Sequence, residues 1–292
     1  MVYVTTVTTG YALDAFSVRT GRLVRQVPIP ASPSALAIGP GGYVWLTFYP
    51  DQNGGGTGVW RLSPNLRRRS GINLAVRSYS RYTPFDVLPV STDTAVLAAG
   101  RLATIRLSWA RAALRPGPAV PRFDGLVGVT GLARIGGKLV ARFEGDAGDW
   151  RIWLPGPPSR VFGPSGRFHP GRSPDLGSMA GQTGGLWIVE LGPNNTGSPI
   201  LLNSRLQVIT PRSIARNRLL STAQQAFTSG ATVWVETSGN AIACFRYSGG
   251  RAGPVAVIRP RTAPGVLAVS GDTVYVADQA GITGLPVSRS CR

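Results

Sequence analysis

The sequence predicts an all-β fold assembled from repeated units of about four short strands, and three observations support this prediction. Residues 32–65 alternate apolar runs with turns, in the order strand, tight turn at 39–42, strand, longer loop and strand. The apolar runs are rich in β-branched and aromatic residues, which favour strands. The same order of signals returns along the chain, and 38 glycines and 24 prolines punctuate it throughout.

The repeated unit recurs at residues 84–100, 130–145, 177–192, 223–239 and 263–281. Residues 1–10 hold the second strand of a further copy, whose first strand is absent from the sequence. The second strands are marked by seven positions, 41 to 52 residues apart: Val2, Val44, Val96, Val140, Ile188, Val235 and Val276. A period of about 40 to 50 residues with four strands per unit is typical of a β-propeller. We therefore predict that residues 1–292 form a single domain, a seven-bladed β-propeller with incomplete first and last blades.

An aromatic residue recurs at one position of the second strand. It is found in five copies, as Tyr3, Trp45, Trp187, Trp234 and Tyr275. A propeller blade buries its faces only against its neighbours. We therefore predict that these rings pack between blades.

The charge balance is strongly basic, since 31 Lys and Arg residues against 13 Asp and Glu residues give a formal net charge of +18. Lys138 is the only lysine, so arginine carries the excess. Codon choice in a GC-rich genome and selection for a polyanionic partner would both produce this skew, and the sequence leaves both open. In either case we expect non-specific, salt-dependent attraction of polyanions. The run 67–69 of three arginines is predicted on an outer, fourth-strand edge, where charge blocks edge-to-edge pairing.

Only two cysteines are present, Cys244 and Cys291, which is too few for a cysteine-based metal cluster. A disulfide, two free thiols and a staple late in the chain all stay open. Cys244 falls in the third strand of blade 6 and Cys291 follows the third strand of blade 7, so a bridge requires the tail to fold back. We expect neither a metal nor a cofactor.

Blades 1, 2 and 7 resemble a known repeat family at the level of residues, and the first two carry the clearest motifs. The residues VYVTT from position 2, followed by YALDAFSVRTGRLVRQVPIPASPSALAIGPGGYVWLT, resemble YVTN-type β-propeller repeats. Blade 2, with GPGGYVWLT and VWRL, is also similar to the repeats of streptogramin lyase-type and NHL propellers. The resemblance implies the propeller fold but leaves function open. These families contain lyases, surface and cell-wall-associated proteins, and members with no known activity.

The resemblance implies an extracytoplasmic or secreted bacterial protein. No basic, apolar and small-residue signal segment is present at Met1. Because the innermost strand of blade 1 is absent, we expect that the chain was cut or mis-started, which leaves open the loss of an export signal. No run of 18 apolar residues could span a membrane, and we expect a monomer.

The loops that follow the second strands are the predicted functional face, shared with the loops between blades. Nine of the 13 acidic residues map to this face: Asp51, Asp86, Glu144, Asp146, Asp149, Asp175, Glu190, Glu236 and Asp278. We expect Glu190, Glu236 and Asp278 at the channel mouth, with Glu144 and Asp51 further out. Arginines of the blade-to-blade loops are predicted at the rim: Arg81, Arg167 and Arg216. Such an arrangement suits a cation or a zwitterionic ligand. The alternative is that these residues serve ordinary turn and surface roles.

Catalytic motifs are nearly absent. His169 is the only histidine, and a lyase-like mechanism would need it as acid or base beside a carboxylate such as Glu190 or Glu144. It falls in a Gly/Pro-rich connecting loop, which also suits a surface residue. Three hypotheses follow: a non-enzymatic scaffold that binds a protein, polymer or small charged ligand, a lyase or hydrolase at the channel mouth, and a polyanion or nucleic-acid binder. We favour the first.

Overall fold

The computed structural model describes residues 1–7, 10–49, 56–74, 86–123, 126, 128–144, 149–163, 175–192, 196–260, 266–270, 273–278, 281–286 and 291. Of residues 175, 266–270, 277, 278, 281 and 286 it describes the backbone alone. The described residues form seven antiparallel β-sheets in succession along the chain, which confirms the predicted seven-bladed β-propeller. The chain divides into two compact units, residues 1–132 and 133–292.

The first unit contains three sheets. Sheet 1 consists of β1 (Val2–Val7), β2 (Tyr11–Phe16) and β3 (Leu23–Ile29). Sheet 2 consists of β4 (Ser32–Ile38), β5 (Val44–Tyr49), β6 (Gly58–Leu62) and β7 (Arg69–Asn73), with a 3-10 turn, Pro40–Gly42, between β4 and β5. Sheet 3 consists of β8 (Asp86–Pro89), β9 (Thr94–Ala98), β10 (Leu102–Leu107) and β11 (Ala112–Pro116).

The second unit begins within the first strand of sheet 4. Sheet 4 consists of β12 (Gly128–Ile135), β13 (Lys138–Glu144), β14 (Trp150–Leu154) and β15 (Arg160–Phe162). Sheet 5 consists of β16 (Asp175–Gln182), β17 (Gly185–Leu191) and β18 (Pro199–Leu202). Sheet 6 consists of β19 (Ala223–Ser229), β20 (Thr232–Thr237), β21 (Ile242–Ser248), β22 (Arg251–Ala252) and β23 (Ala256–Ile258). Sheet 7 consists of β24 (Val266–Ser270), β25 (Thr273–Asp278) and β26 (Gly281–Pro286).

The seven predicted second-strand positions lie in β1, β5, β9, β13, β17, β20 and β25, as expected. Sheet 1 opens with the strand predicted as the second of its unit, and sheets 1 and 7 each have three described strands. Sheet 5 was not expected to depart from the pattern. Its fourth strand is reduced to a bridge between Leu202 and Val208, followed by the short helix α1 (Arg212–Ala215) and a 3-10 turn (Leu220–Thr222). In the part of the chain described here, no helix is long and apolar enough to cross a membrane.

The two faces of strand β17 pack against different neighbouring sheets. Leu186 and Ile188 belong to a buried cluster with residues of sheet 4. Trp187 and Val189 belong to another cluster with residues of sheet 6. Since successive strand residues point to opposite faces, β17 is buried on both sides. Strand β20 follows the same rule: Val235 faces sheet 5 and Trp234 faces sheet 7.

The repeated aromatic of the second strand packs on the following sheet, as predicted. Trp45 lies in a cluster with sheet 3, Trp187 with sheet 6 and Trp234 with sheet 7, and all three are almost fully buried. Tyr3 is partly buried against sheet 2. Tyr275 is also buried. In sheets 1, 2, 5 and 6, this ring therefore packs each sheet against the next one.

A disulfide joins Cys244 to Cys291, with 5.7 Å between their Cα atoms. The sequence left a disulfide, two free thiols and a late staple open, and the structure shows the disulfide. Both cysteines are buried in the cluster that joins sheets 6 and 7. The hydroxyl of Thr232 donates a hydrogen bond to the Cys291 carbonyl oxygen at 2.7 Å. The end of the chain is therefore fastened to sheet 6.

Candidate functional site

Four of the predicted site residues lie where a second strand ends. Glu144 and Asp278 are the last residues of β13 and β25, and Glu190 and Glu236 are next to last in β17 and β20. In an antiparallel sheet, the loops that follow the second strands leave from the end opposite to the turns between first and second strands. The sequence placed these four residues correctly along their strands.

Glu190 and Glu236 lie on faces that turn toward different sheets. Glu190 shares the β17 face of Leu186 and Ile188, which packs against sheet 4. Glu236 shares the β20 face of Trp234, which packs against sheet 7. The two carboxylates therefore belong to two separate gaps between sheets.

Glu144 forms an ion pair with Arg142, two residues earlier on the same face of β13. The Arg142 Nη2 and Glu144 Oε1 atoms are 3.0 Å apart, and both side chains are partly exposed. Arg142 also donates from Nη1 to the Leu176 carbonyl oxygen of sheet 5 at 3.4 Å. Since Leu176 pairs with Glu190 in the sheet, Glu144 and Glu190 border the same gap between sheets 4 and 5. The charge of Glu144 is offset by its arginine neighbour.

Burial raises the pKa of Glu190 and Glu236 above the ordinary value for glutamate. Neither carboxylate forms an ion pair with a described residue. Desolvation disfavours the charged form, because the carboxylate loses water without gaining a cation. Each group would be stabilised by a proton or by a cationic group placed beside it.

Asp86, another acid of the predicted face, has a structural role. Its Oδ2 atom accepts a hydrogen bond from the Leu132 backbone N–H at 2.8 Å, and its Oδ1 atom accepts one from the Val87 N–H at 2.7 Å. The bond from Leu132 joins strand β8 of sheet 3 to strand β12, and the bond from Val87 lies within β8. Asp86 is therefore engaged in holding two strands together.

The remaining predicted residues are only partly covered by the structure. Asp51, Arg81, Arg167 and His169 lie outside the described residues. Arg216 is exposed and caps the C-terminal end of α1, where its backbone N–H donates to the Arg212 carbonyl oxygen. Among described residues, no group of three or more His, Cys, Asp or Glu side chains is placed to hold a metal ion.

A groove lies at the opposite end of sheets 4, 5 and 6. Two adjoining cavities of about 450 and 340 Å³ share Gln182, Thr183 and Gly230. We call them together the turn groove, which is lined mainly by turns at residues 136–137, 182–184, 230–231 and 248–250. These turns connect first to second or third to fourth strands, so the groove lies away from the predicted acidic ends.

The walls of the turn groove are largely backbone. Gly136 and Gly137 form a two-residue turn with φ of 52° and 84°, and Gly249 and Gly250 form another with φ of 58° and 78°. Such hairpin turns need glycine because both residues have positive φ. Without side chains there, peptide N–H and C=O groups are open to a ligand. From the sequence, these glycines could be recognised only as turn residues, and the groove that they line was not predicted.

A second surface missed from the sequence lies on sheets 2 and 3. Guanidinium groups stack on aromatic rings there: Arg61 on Tyr43 and Trp109, Arg68 on Trp109, and Arg69 on Trp60. Trp60 packs against sheet 1 and Val59, its neighbour in β6, against sheet 3, so the Arg69–Trp60 stack lies on the opposite face of sheet 2 from the other stacks. We call Tyr43, Arg61, Arg68 and Trp109 the arginine–tryptophan surface. Arg69 begins β7, the outer strand of sheet 2, as predicted for the arginine run, but the stacking was not predicted.

Solved structures of low sequence identity share this architecture. The chain is similar to hydrazine synthase of Kuenenia stuttgartiensis, with 12% identity, a TM-score of 0.65, and coverage of 95% of this chain and 90% of that chain. It is similar to the β-propeller domain of Cps50 (Swd1) from Myceliophteria thermophila, with 11% identity, a TM-score of 0.63 and coverage of 98% and 94%. The chain has the β-propeller fold.

A third similar structure is BBS1N in complex with ARL6DN, with 10% identity, a TM-score of 0.56, and coverage of 99% of this chain and 92% of that chain. At these identities the likeness concerns the fold alone. No protein-family model matches the chain, and no curated protein matches it. Membership of the YVTN repeat family therefore stays a prediction.

Proposed function

We propose that the chain is a non-enzymatic binding or scaffold protein that holds a segment of a partner protein in the turn groove. The observation that carries this proposal is the groove itself, which crosses the turns of three successive sheets. Its described lining contains one charged side chain, Arg134, and no carboxylate, imidazole or thiol. Acid-base and nucleophilic chemistry need such groups, whereas binding needs shape and hydrogen-bonding atoms.

The groove offers mainly neutral hydrogen-bonding groups. Thr183 and Ser248 present exposed hydroxyls, and the neighbouring glycine turns present peptide groups. An extended peptide has peptide groups of its own that match such a surface. Gln182 and Tyr247 lie beneath the groove and join sheets 5 and 6, because Gln182 Nε2 donates to the carbonyl oxygens of Gly230 at 3.1 Å and Tyr247 at 3.3 Å. The floor is therefore fixed before a ligand arrives.

Affinity capture with a groove-blocked variant tests the proposal. The parent, a Thr183→Arg, Ser248→Arg variant and a Thr20→Arg, Gln26→Arg control are immobilised and exposed to an extract and culture supernatant of the source cells. Both variants add two positive charges at exposed positions, and the control sites lie in β3 of sheet 1 and in the turn that precedes it. We expect a protein retained by the parent and the control but lost from the groove variant. Identical retention on all three would overturn the proposal.

A second candidate is a cationic ligand at the second-strand ends, which the raised pKa of Glu190 and of Glu236 favours. Calorimetry with Ca²⁺ and with a diamine would be run on the parent and on a Glu190→Gln, Glu236→Gln variant. Binding by the parent that is lost in the variant supports this site. Identical binding by the parent and the variant, or no binding by either protein, would show that these two carboxylates do not form a ligand site.

A further inference from the structure

Tyr247 lies between the core and the turn groove. It is 5% exposed, and its ring makes an edge-to-face contact with Trp187, with the ring centres 5.5 Å apart. Tyr247 shares with Phe245 the face of β21 that packs against sheet 5. These contacts hold the ring in one orientation in the gap between sheets 5 and 6.

The hydroxyl end of the Tyr247 ring borders the larger cavity of the groove. Tyr247 and Gly184 both line this cavity of about 450 Å³. A Cβ atom on Gly184 would lie 3.3 Å from Cε1 of Tyr247, the ring carbon next to the one that bears the hydroxyl. Because residue 184 has no side chain, there is room beside the hydroxyl for an atom of a ligand.

The Tyr247 hydroxyl has no hydrogen-bond partner among the described residues. The neighbouring Gln182 amide is satisfied, because Nε2 donates to the carbonyl oxygens of Gly230 and Tyr247 and Oε1 accepts from Trp187. Burial raises the pKa of Tyr247, so the phenol keeps its proton. A buried hydroxyl normally finds a partner, and a ligand in the cavity would supply one.

We propose that the Tyr247 hydroxyl anchors the segment bound in the turn groove by donating a hydrogen bond to one of its carbonyl oxygens. An extended segment offers a carbonyl oxygen at every residue. A phenol is a stronger donor than the aliphatic hydroxyls of Thr183 and Ser248 nearby. This inference rests on the proposed function, since it requires a peptide segment in the groove.

Heptapeptides from a random phage-displayed library are the probe. Peptides are selected on the immobilised parent, and those that also bind the Thr183→Arg, Ser248→Arg variant are removed. Because this variant is more positive than the parent, the second step also discards peptides held by net charge alone. One remaining peptide is synthesised with a fluorescent label, and its affinity is measured by fluorescence anisotropy.

The key variant is Tyr247→Phe, which removes the hydroxyl and keeps the ring. The matched control is Tyr11→Phe, which removes the hydroxyl of a partly buried tyrosine in β2 that does not line the groove. We expect Tyr247→Phe to bind the peptide about tenfold more weakly than the parent, and the control to bind within about twofold of the parent. Thermal melts without peptide should show no loss of stability for Tyr247→Phe, because its hydroxyl is unpaired in the free protein.

Equal affinities of the parent and Tyr247→Phe for a groove-dependent peptide overturn this inference alone. A lower melting temperature of free Tyr247→Phe also overturns it, because the hydroxyl would then have a structural partner. A library that yields no groove-dependent peptide overturns the proposed function as well.

Peptides that carry one thiocarbonyl group test the acceptor. Sulfur accepts hydrogen bonds more weakly than oxygen, so replacement of the anchored carbonyl should weaken binding to the parent by about fivefold. The same replacement should change binding to Tyr247→Phe by less than about twofold, since that variant lacks the donor. If no position along the heptapeptide behaves in this way, the carbonyl acceptor is wrong.

Discussion

Trp187 donates a hydrogen bond from Nε1 to Oε1 of Gln182 at 3.1 Å, and both side chains are buried. The indole also makes edge-to-face contacts with Phe245 and Tyr247, with ring centres 5.4 and 5.5 Å apart. Because Gln182 in turn bonds carbonyl groups of sheet 6, the pair fastens sheet 5 to its neighbour through both apolar and polar contacts.

Replacement of Trp187 by alanine should be strongly destabilising. We expect Trp187→Ala to lower the free energy of unfolding by about 3 to 5 kcal/mol, because it opens a cavity and removes the partner of Gln182. Trp187→Phe keeps an aromatic ring and should cost less. Urea denaturation followed by circular dichroism measures both. A loss below about 1 kcal/mol for the alanine variant would contradict the packing described here.

A substitution at Gly177 tests how closely sheets 5 and 6 approach each other. It is an unpaired bulge residue in β16, and a Cβ atom there would lie 2.2 Å from the carbonyl oxygen of Gln224 in β19. We expect Gly177→Ala to cost about 1 to 3 kcal/mol through displacement of backbone. Gly239 is the control, because a Cβ atom there would meet nothing within 4 Å. Equal melting temperatures for the two variants would refute the close approach.

The strand pattern could be predicted from the sequence because each second strand couples β-branched residues to a preceding turn at a regular period. The reduced fourth strand of sheet 5 could not, since the single bridge at Val208 leaves no apolar run to recognise. The assignment of residues 1–292 to one domain stays a prediction. Strands that are buried at a regular period leave a pattern of apolar residues in the sequence, whereas an isolated bridge depends on tertiary contacts.

The candidate sites were harder to predict. The carboxylates Glu190 and Glu236 were placed correctly along their strands, but the sheet faces they occupy follow from register, which the sequence alone did not fix. The arginine–tryptophan surface joins Arg68 to Trp109 across a large sequence separation, and neither residue signals the other.

The disulfide should contribute substantially to stability, because it closes a loop between residues 47 positions apart. We expect reduction of the parent to lower the free energy of unfolding by about 2 to 4 kcal/mol. A Cys244→Ala, Cys291→Ala variant should show a similar loss and no further response to reductant. Two free thiols in the unfolded, unreduced parent, measured by thiol titration, would show that the bridge is absent.

Glu236 should make stability depend on pH. Its pKa is raised in the folded protein by burial, so its contribution to stability is fully present below about pH 4.3, the unfolded value, and is lost as pH rises through the folded pKa. We therefore expect Glu236→Gln to stabilise the protein at pH 7 and to have little effect at pH 4 in urea denaturation.

Glu144→Gln is the matched control for this experiment. It removes a carboxylate that is paired with Arg142, so we expect a small loss of about 0 to 1 kcal/mol at pH 7 instead of a gain. A loss of stability at pH 7 for Glu236→Gln would show that a cationic group compensates this carboxylate.

The central claim is that the chain binds a partner in the turn groove without altering it. The most direct measurement is the affinity of the captured partner for the parent and for the Thr183→Arg, Ser248→Arg variant, together with the mass of the partner after incubation. We predict at least about a tenfold weaker affinity for the variant and an unchanged partner mass. Equal affinities, or a partner recovered cleaved or otherwise modified by the parent, would contradict the claim.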